Sequence, residues 1–344
     1  MKKLFTILAV AAAMVSCAKE EVVSFDQGEA IQFGNAFVDN ATRADQATDP
    51  SYTTTGENPN LTSFNVYGAV NGVNIFNGNL VEKNTADYGD VWTLTGSKQY
   101  WIDGANYEFV AVVDGNKKVG ENVITRTELF NTTGIPSFIT YNSDGATDLL
   151  CARVVRNANQ NGVTDKSLVA FGFKHLLSKV MFSVTNTTDA AADNYRIVLT
   201  EAKITGALNN STYVVSTGQW NHDLTPKTKD FTLENLTINS NATQYHSSEV
   251  LLIPGNNVGV VVKAKVQATA DGQNWKDVST IEKTFTNVLG ADGKLVANNA
   301  YHFAVTLGIG SEIQFTATTM PEWGNGNTHD SNDVDNVNDY IPLQ

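Results

Sequence analysis

Apolar and polar residues alternate along many short segments of the chain, a pattern typical of β-strands with one buried and one exposed face. In the clearest segment one face carries Val260, Val262, Ala264, Val266 and Ala268. The other face carries Lys263, Lys265, Gln267 and Thr269. The pair Asp271-Gly272 that follows predicts a tight hairpin with two positive-φ positions, and residues 275–282 are the predicted return strand.

The same alternation recurs before Asn71-Gly72 and before Asp114-Gly115. Further predicted strands cover residues 64–70, 107–113, 180–184, 197–199, 301–307 and 313–317. No window after the first twenty residues combines sustained helical spacing with helix caps. The sequence therefore predicts an all-β protein of sandwich architecture with at most short helices.

Two irregular segments interrupt this pattern. Residues 39–60 are rich in Thr, Asn and Pro without a core pattern, and residues 156–166 are similarly polar. The remaining length is too great for one ordinary sandwich and suits two. We predict an N-terminal β-sandwich domain at 44–166, a C-terminal β-sandwich domain at 167–323 and a tail at 324–344.

The first residues have the pattern of an export signal. Lys2 and Lys3 form a charged region, residues 4–15 an apolar region, and Ser16 is the small residue before the predicted cleavage site. The apolar region is too short to cross a bilayer. Residues 14–17 resemble a bacterial lipobox, which implies a signal peptide at 1–16 and a lipid on Cys17. An ordinary secretory signal with an accidental cysteine is the alternative.

Composition narrows the functional classes. The formal net charge is −13, and such an acidic chain would be repelled by nucleic acid and by anionic headgroups. The second cysteine, Cys151, lies among apolar residues, and we predict a buried, unreactive thiol.

Several segments together resemble the fimbrillin family, the lipoprotein-derived subunits of type V pili and their Mfa-like relatives. They are residues 173–180, 251–254 and 299–303, and residues 313–315 leading to Trp323. The resemblance implies two β-sandwich domains of transthyretin-like topology, outer-membrane attachment and exposure at the cell surface. It also implies trimming by a trypsin-like protease and polymerisation with other fimbrial subunits by strand donation.

A candidate cleavage site lies between Arg43 and Ala44. Arg43 is the only Lys or Arg between Lys19 and Lys83, within the irregular segment. Residues 17–43 would then be a propeptide, and its predicted strand would point Ile31 and Phe33 into a core. Loss of that strand would open a groove that a neighbour's strand could fill. An ordinary loop arginine is the alternative.

The tail after Trp323 is the candidate donor. It contains a Gly/Asn spacer, an acidic run, and then the apolar residues Val337, Tyr340, Ile341 and Leu343. Three of these share parity and could enter successive pockets, whereas Asp339 fits poorly and Pro342 limits strand pairing. A solvated acidic tail is the alternative.

Catalytic motifs and metal-ligand spacings are absent from the sequence, so we predict no enzyme activity, no cofactor and no metal. The tail aspartates do not fit a calcium loop. Five tryptophans support one alternative, a surface glycan-binding or adhesive lipoprotein of the same fold. A secreted β-sandwich hydrolase is a more distant alternative. Our main hypothesis is a fimbrial structural subunit that supports adhesion, with host or bacterial surface ligands as further partners.

Overall fold

A computed structural model describes most of the chain. The described residues are 28–38, 61–86, 89–113, 124–125, 138–188, 194–223, 227–233, 236–238, 243–245, 249–309, 313–320 and 341–342. All regular elements among them are β-strands, which confirms the all-β prediction. Within these ranges there is no helix long and apolar enough to cross a membrane.

The strands are numbered in chain order. The first nine are β1 (Phe33–Val38), β2 (Ser63–Val70), β3 (Val73–Ala86), β4 (Gly89–Leu94), β5 (Tyr107–Val113), β6 (Ile124–Thr125), β7 (Phe138–Asn142), β8 (Leu150–Arg156) and β9 (Val169–His175). The next eight are β10 (Ser178–Asn186), β11 (Tyr195–Leu208), β12 (Asn210–Val214), β13 (Gln219–Asn221), β14 (Thr228–Leu233), β15 (Leu236–Ile238), β16 (Thr243–Tyr245) and β17 (Val250–Leu252). The last five are β18 (Gly259–Ala268), β19 (Lys276–Phe285), β20 (Ala300–Leu307), β21 (Gln314–Met320) and β22 (Ile341–Pro342).

The first half of the chain forms a sheet in the order β1-β9-β8-β5-β2-β3-β4. This sheet curls, so that its two edge strands, β1 and β4, approach each other. The enclosed space holds a core rich in aromatic side chains, which we call the first core. It includes Phe33, Phe64, Phe76, Trp101, Tyr107, Phe109, Phe171 and Phe173.

The second half contains two sheets that enclose one core between them, as a sandwich does. Their orders are β16-β10-β20-β21-β22 and β14-β11-β18-β19. The enclosed second core is mostly aliphatic. It includes Val180, Val184, Ile197, Leu199, Ile204, Val260, Val262, Phe303 and Val305.

A fourth sheet connects the two halves. Its order is β13-β12-β7-β6, and β7 from the first half pairs antiparallel with β12 from the second. Beneath it lies a third hydrophobic cluster, the junction core. This core includes Tyr67, Val110, Val112, Ile139, Tyr141, Cys151, Leu176, Leu177, Leu208 and Ile253. The burial of Cys151 there confirms the predicted environment of its thiol.

The strand pairings bear on the division between the halves. Strand β9 follows the boundary predicted at residue 166, yet it pairs with β1 and β8 of the first sheet. The next strand, β10, pairs with β20 in the second half. We therefore propose to place the boundary after His175. Sequence alternation could not distinguish β9 from β10, because both strands are apolar at alternate positions.

The predicted hairpins differ in their turns. At Asn71 and Gly72 both φ angles are positive, at 46° and 80°, and Val70 pairs directly with Val73. Strands β18 and β19 also form the predicted hairpin, but Asp271 does not have positive φ; only Gly272 does, at 71°. The prediction of a two-residue turn was wrong there. The Asp271 carboxylate instead accepts hydrogen bonds from the backbone N–H groups of Gln273 and Asn274 and organises a wider loop.

Candidate functional site

Strand β1 occupies one edge of the first sheet. It runs parallel to β9, with Phe33 opposite Val169 and Val38 opposite Phe173, and the register shifts between Gly34 and Phe37. Parallel pairs are slightly less stable per residue than antiparallel ones, and a register shift interrupts the ladder. The strand is therefore held by an imperfect set of backbone hydrogen bonds.

The residues just before β1 are held on the opposite side. The Ile31 N–H donates to the Gln99 carbonyl at 2.8 Å, and the Trp101 N–H donates to the Glu29 carbonyl at 2.9 Å. An isolated antiparallel bridge joins Ala30 to Tyr100. Residues 28–38 thus close the gap between the two ends of the curled sheet.

The side chains of this segment complete the first core. Ile31, Phe33 and Ala36 are buried. The Phe33 ring lies 5.4 Å from the Phe76 ring and 5.9 Å from the Phe171 ring, centroid to centroid. Burial of one such side chain contributes about 1.5–3 kcal/mol. Removal of the segment would leave an apolar groove lined by aromatic rings.

The groove walls come from distant parts of the sequence. Phe76 and Phe109 belong to β3 and β5, and Phe171 belongs to β9. Sequence analysis identified Ile31 and Phe33 but did not identify these walls or the contact with residues 99–101. The Phe-Gly-Phe run at 171–173 was assigned to the second half, which hid its role as the partner of β1.

A sequence match identifies the family of this chain. A family model described as fimbrillin-like matches residues 42–323, which is most of the chain. This chain belongs to the fimbrillin-like family. The resemblance stated from the sequence is thereby confirmed.

Solved structures were compared with this chain for their fold. A fimbrial protein from Bacteroides vulgatus is 13% identical to this fimbrillin-like chain, with a TM-score of 0.54, and the match covers 86% of this chain and 100% of that one. At this identity the match shows a shared fold. A candidate cell adhesion protein from Bacteroides uniformis is 16% identical, with a TM-score of 0.47, and the match covers 76% of this chain and 92% of that one. No curated protein matches.

Most of the other predicted site residues of this fimbrillin-like protein lie outside the described residues. These are Cys17, Arg43, Ala44, Val337, Tyr340 and Leu343. Of the predicted donor residues, only Ile341 lies in a described strand, the two-residue β22. Its backbone pairs antiparallel with Thr319 of β21 in the same chain. Here the end of the tail therefore extends the edge of its own second half.

The tryptophans described in the structure pack against protein groups. Trp92 and Trp101 contribute to the first core, and the Trp220 indole N–H donates to the Leu176 carbonyl at 2.8 Å at the junction. The Arg196 guanidinium lies 4.4 Å from the centre of the Trp275 ring. These positions fit core and edge packing, the commoner use of tryptophan in a β-protein.

The histidines described in the structure have polar partners within the fold. His175 Nδ1 lies 2.7 Å from Asp148 Oδ2, His302 Nε2 lies 2.7 Å from Ser183 Oγ, and His222 Nδ1 lies 2.6 Å from Ser211 Oγ. In the described ranges, no group of three His, Cys, Asp or Glu residues is arranged to hold a metal ion.

The groups with clearly perturbed pKa values include several near the junction. Burial raises the pKa of the Tyr141 phenol, and the nearby carboxylates of Asp144 and Asp148 raise it further. Its hydroxyl donates to the Thr147 carbonyl at 2.7 Å. Burial also raises the pKa of Tyr213. Both phenols therefore stay neutral at ordinary pH; Tyr141 is a buried hydrogen-bond donor, and the partly buried Tyr213 packs against the junction core.

Proposed function

We propose that this fimbrillin-like protein is a non-enzymatic structural subunit of surface fimbriae that assembles by protease-triggered strand exchange. It reaches the outer membrane as a lipoprotein with a lipid on Cys17. A trypsin-like protease then cuts between Arg43 and Ala44, residues 28–38 leave the first sheet, and the tail of a neighbouring subunit fills the groove.

The observation that carries this proposal is the position of β1. It lies at a sheet edge, contributes Ile31 and Phe33 to the first core, and belongs to a segment separated from β2 by residues 39–60. The fimbrillin-like match begins at residue 42, so β1 lies outside the matched part. The start of the match close to Arg43 supports the proposal that β1 is removed, and the remaining sheet would then need a replacement strand.

Competition for one groove explains why cleavage would be the trigger. Before cleavage, β1 is covalently tethered to the sheet that it fills, and such a tether gives an effective concentration on the order of millimolar. An untethered donor cannot compete with that. After cleavage the advantage disappears, and the parallel, register-shifted pairing of β1 offers limited resistance to exchange.

The donor also has to leave its own chain. Among the described residues of the tail, Ile341 and Pro342 pair with β21, across from Thr319 and Thr318. Pro342 has no N–H to donate, so this short strand is held by few backbone hydrogen bonds. Release of this two-residue pairing would therefore have a small energetic cost compared with filling a groove.

Trypsin trimming tests the proposal. We expect purified protein to remain monomeric before trypsin and to form an SDS-resistant ladder afterwards. Arg43→Lys keeps a trypsin site and should behave like the wild type, whereas Arg43→Ala should stay monomeric. N-terminal sequencing of the trimmed product shows whether Ala44 is the new first residue.

Tail variants test the donor separately. Deletion of residues 333–344 and the double variant Val337→Asp with Ile341→Asp should both abolish the ladder. Asp339→Asn is the matched control, since it alters the poorly fitting position, and it should preserve the ladder. A ladder that survives the deletion would contradict the tail as donor. The absence of a ladder from every trimmed form at tens of micromolar or more would contradict strand exchange itself.

A further inference from the structure

Three aliphatic side chains lie exposed at one end of the first sheet. Val73 is 63% exposed, Ile102 57% and Val163 53%. Val73 is the first residue of β3, Ile102 lies in the loop before β5, and Val163 lies in the loop after β8. Val70 at the end of β2 pairs with Tyr107 at the start of β5, and Tyr107 pairs with Arg156 at the end of β8. The start of β3 and the two loops therefore lie at the same end of the sheet.

Hydrogen bonds fix these loops to one another. The Asn106 N–H donates to the Asn71 side-chain oxygen at 2.9 Å, and the Ala158 N–H donates to the Asn106 side-chain oxygen at 2.9 Å. The Thr164 hydroxyl donates to the Ala105 carbonyl at 2.8 Å. The three exposed side chains are thus carried by segments that are hydrogen-bonded to one another at one end of the sheet. We call Val73, Ile102 and Val163 the apolar end face.

We propose that the apolar end face docks against a second copy of this chain, the neighbouring subunit whose strand enters the groove. The inference rests on the proposed function, because strand exchange is what brings the second copy to this end of the sheet.

Continuity with the groove identifies the occupant. Ile102 directly follows Trp101, whose N–H donates to the Glu29 carbonyl of the removable segment. At the other side, the Leu168 side chain lies against Gly34 so closely that an added Cβ would come within 2.7 Å of it. Departure of residues 28–38 would remove these contacts at Trp101 and Leu168, and the opened groove would then border the end face. A subunit that fills the groove therefore reaches the end face as well.

Local charge also favours a second copy. The chain carries a formal net charge of −13, so two copies repel each other over most of their surfaces. Around the end face the charges are paired, since Lys166 Nζ lies 2.8 Å from Asp103 Oδ1 and Arg156 pairs with Asp165. Glu29, which also interacts with the charge of Lys166, belongs to the removable segment. Trimming therefore removes one negative charge from this end.

Assembly kinetics test the inference. We compare trimmed wild type with the variant Val73→Thr, Ile102→Thr, Val163→Thr, which keeps β-branched side chains but replaces apolar groups with hydroxyls. The control variant carries Val278→Thr and Val296→Thr, two other exposed valines, at 55% and 51%. We expect the end-face variant to form the ladder at least roughly tenfold more slowly than the control, because the buried apolar area is lost.

A peptide of residues 333–344 separates the end face from the groove. Its affinity for the trimmed end-face variant should equal its affinity for trimmed wild type within about twofold, since the groove is unchanged. Equal ladder rates for both variants would overturn the inference. If the two variants form the ladder at equal rates but the end-face variant no longer adheres to cells, the end face would bind a foreign surface. That result would also overturn the inference. If trimmed wild type neither binds the peptide nor polymerises, the proposed function is contradicted independently of the end face.

Photo-crosslinking decides the inference even in that last case. We place benzoylphenylalanine at position 102 or at position 296 of otherwise wild-type protein and irradiate it after trimming. Crosslinks between two copies of the chain from position 102, and few from position 296, would support the end face as a contact between copies. Similar or absent crosslinking at both positions would overturn it.

Discussion

The two halves of the molecule build their cores from different parts of the chain. The first core needs Ile31, Phe33 and Ala36, which precede the irregular residues 39–60. The described residues of the second core all lie between Val180 and Ala317. One half thus depends on a segment that a single cleavage could separate, whereas the described core of the other half comes from residues 180–317.

Side-chain type follows the same division. The first core is dominated by aromatic rings, and Phe33 contacts three of them. The second core is mostly Val, Ile and Leu. Aromatic side chains bury more area each, so a short segment with one phenylalanine can complete a large part of a core. The comparison indicates a separable strand held by a few large contacts in the first half and many small contacts in the second.

The largest expected effect lies in the second half. Val262→Asp places a charge in the second core, where Val262 is fully buried and its backbone pairs with Ala202 of β11 and Lys283 of β19. We expect a loss of about 4 kcal/mol or more in the free energy of unfolding. Urea denaturation measures it. Lys263→Gln on the opposite face is the control and should change the free energy of unfolding by less than about 1 kcal/mol.

The next largest expected effect tests the difference between the first and second cores directly. Phe33→Ala should destabilise the untrimmed protein by about 3 kcal/mol, because it removes a buried ring from the first core. After trimming, the same substitution should have no effect, since residue 33 has left. Phe303→Ala in the second core should destabilise both forms. Thermal unfolding of both variants before and after trypsin measures this, and a trimmed protein still sensitive to Phe33→Ala would show that β1 remains bound.

The smallest effect concerns the junction. Burial lowers the pKa of His222, and the Lys294 charge lowers it further. In the unfolded chain a histidine titrates near 6.5, so the unfolded state binds more protons as pH falls through that value. The contribution of neutral His222 to the free energy of unfolding is therefore fully present above pH ~6.5 and decreases below it. We expect the melting temperature to fall between pH 7.5 and 5.5, and to fall less in His222→Gln. Identical pH profiles for the two proteins would contradict this assignment.

Sequence alternation predicted much of the strand content, and the reason is local. Strands β2, β5, β10, β18 and β20 each place apolar residues on one face over several positions, so their own sequences specify them. The Asn71-Gly72 turn was equally local, since two positive-φ residues suffice for it. At Asp271 the side chain, rather than the φ angle, organises the turn, and the dipeptide alone did not reveal this.

The pairings between distant strands could not be predicted in the same way. Nothing near Phe33 specifies that β1 pairs with residues beyond 168, because parallel partners are selected by the whole sheet. The sheet that joins the halves uses short strands such as β6 and β13, too brief for a periodic signal. The boundary predicted at residue 166 therefore stays untested as a division of domains, and the pairing of β9 favours one after His175.

The antiparallel pairing of β7 with β12 has a mechanical consequence. Five backbone pairs join the two halves above the junction core, from Asn142 opposite Asn210 to Phe138 opposite Val214. If the subunits form a filament under tension, this pairing would resist bending within each subunit. The load would pass through several backbone hydrogen bonds rather than through a single connecting segment. The filament would then bend mainly at the contacts between subunits. Its stiffness would therefore depend on the strength of those contacts.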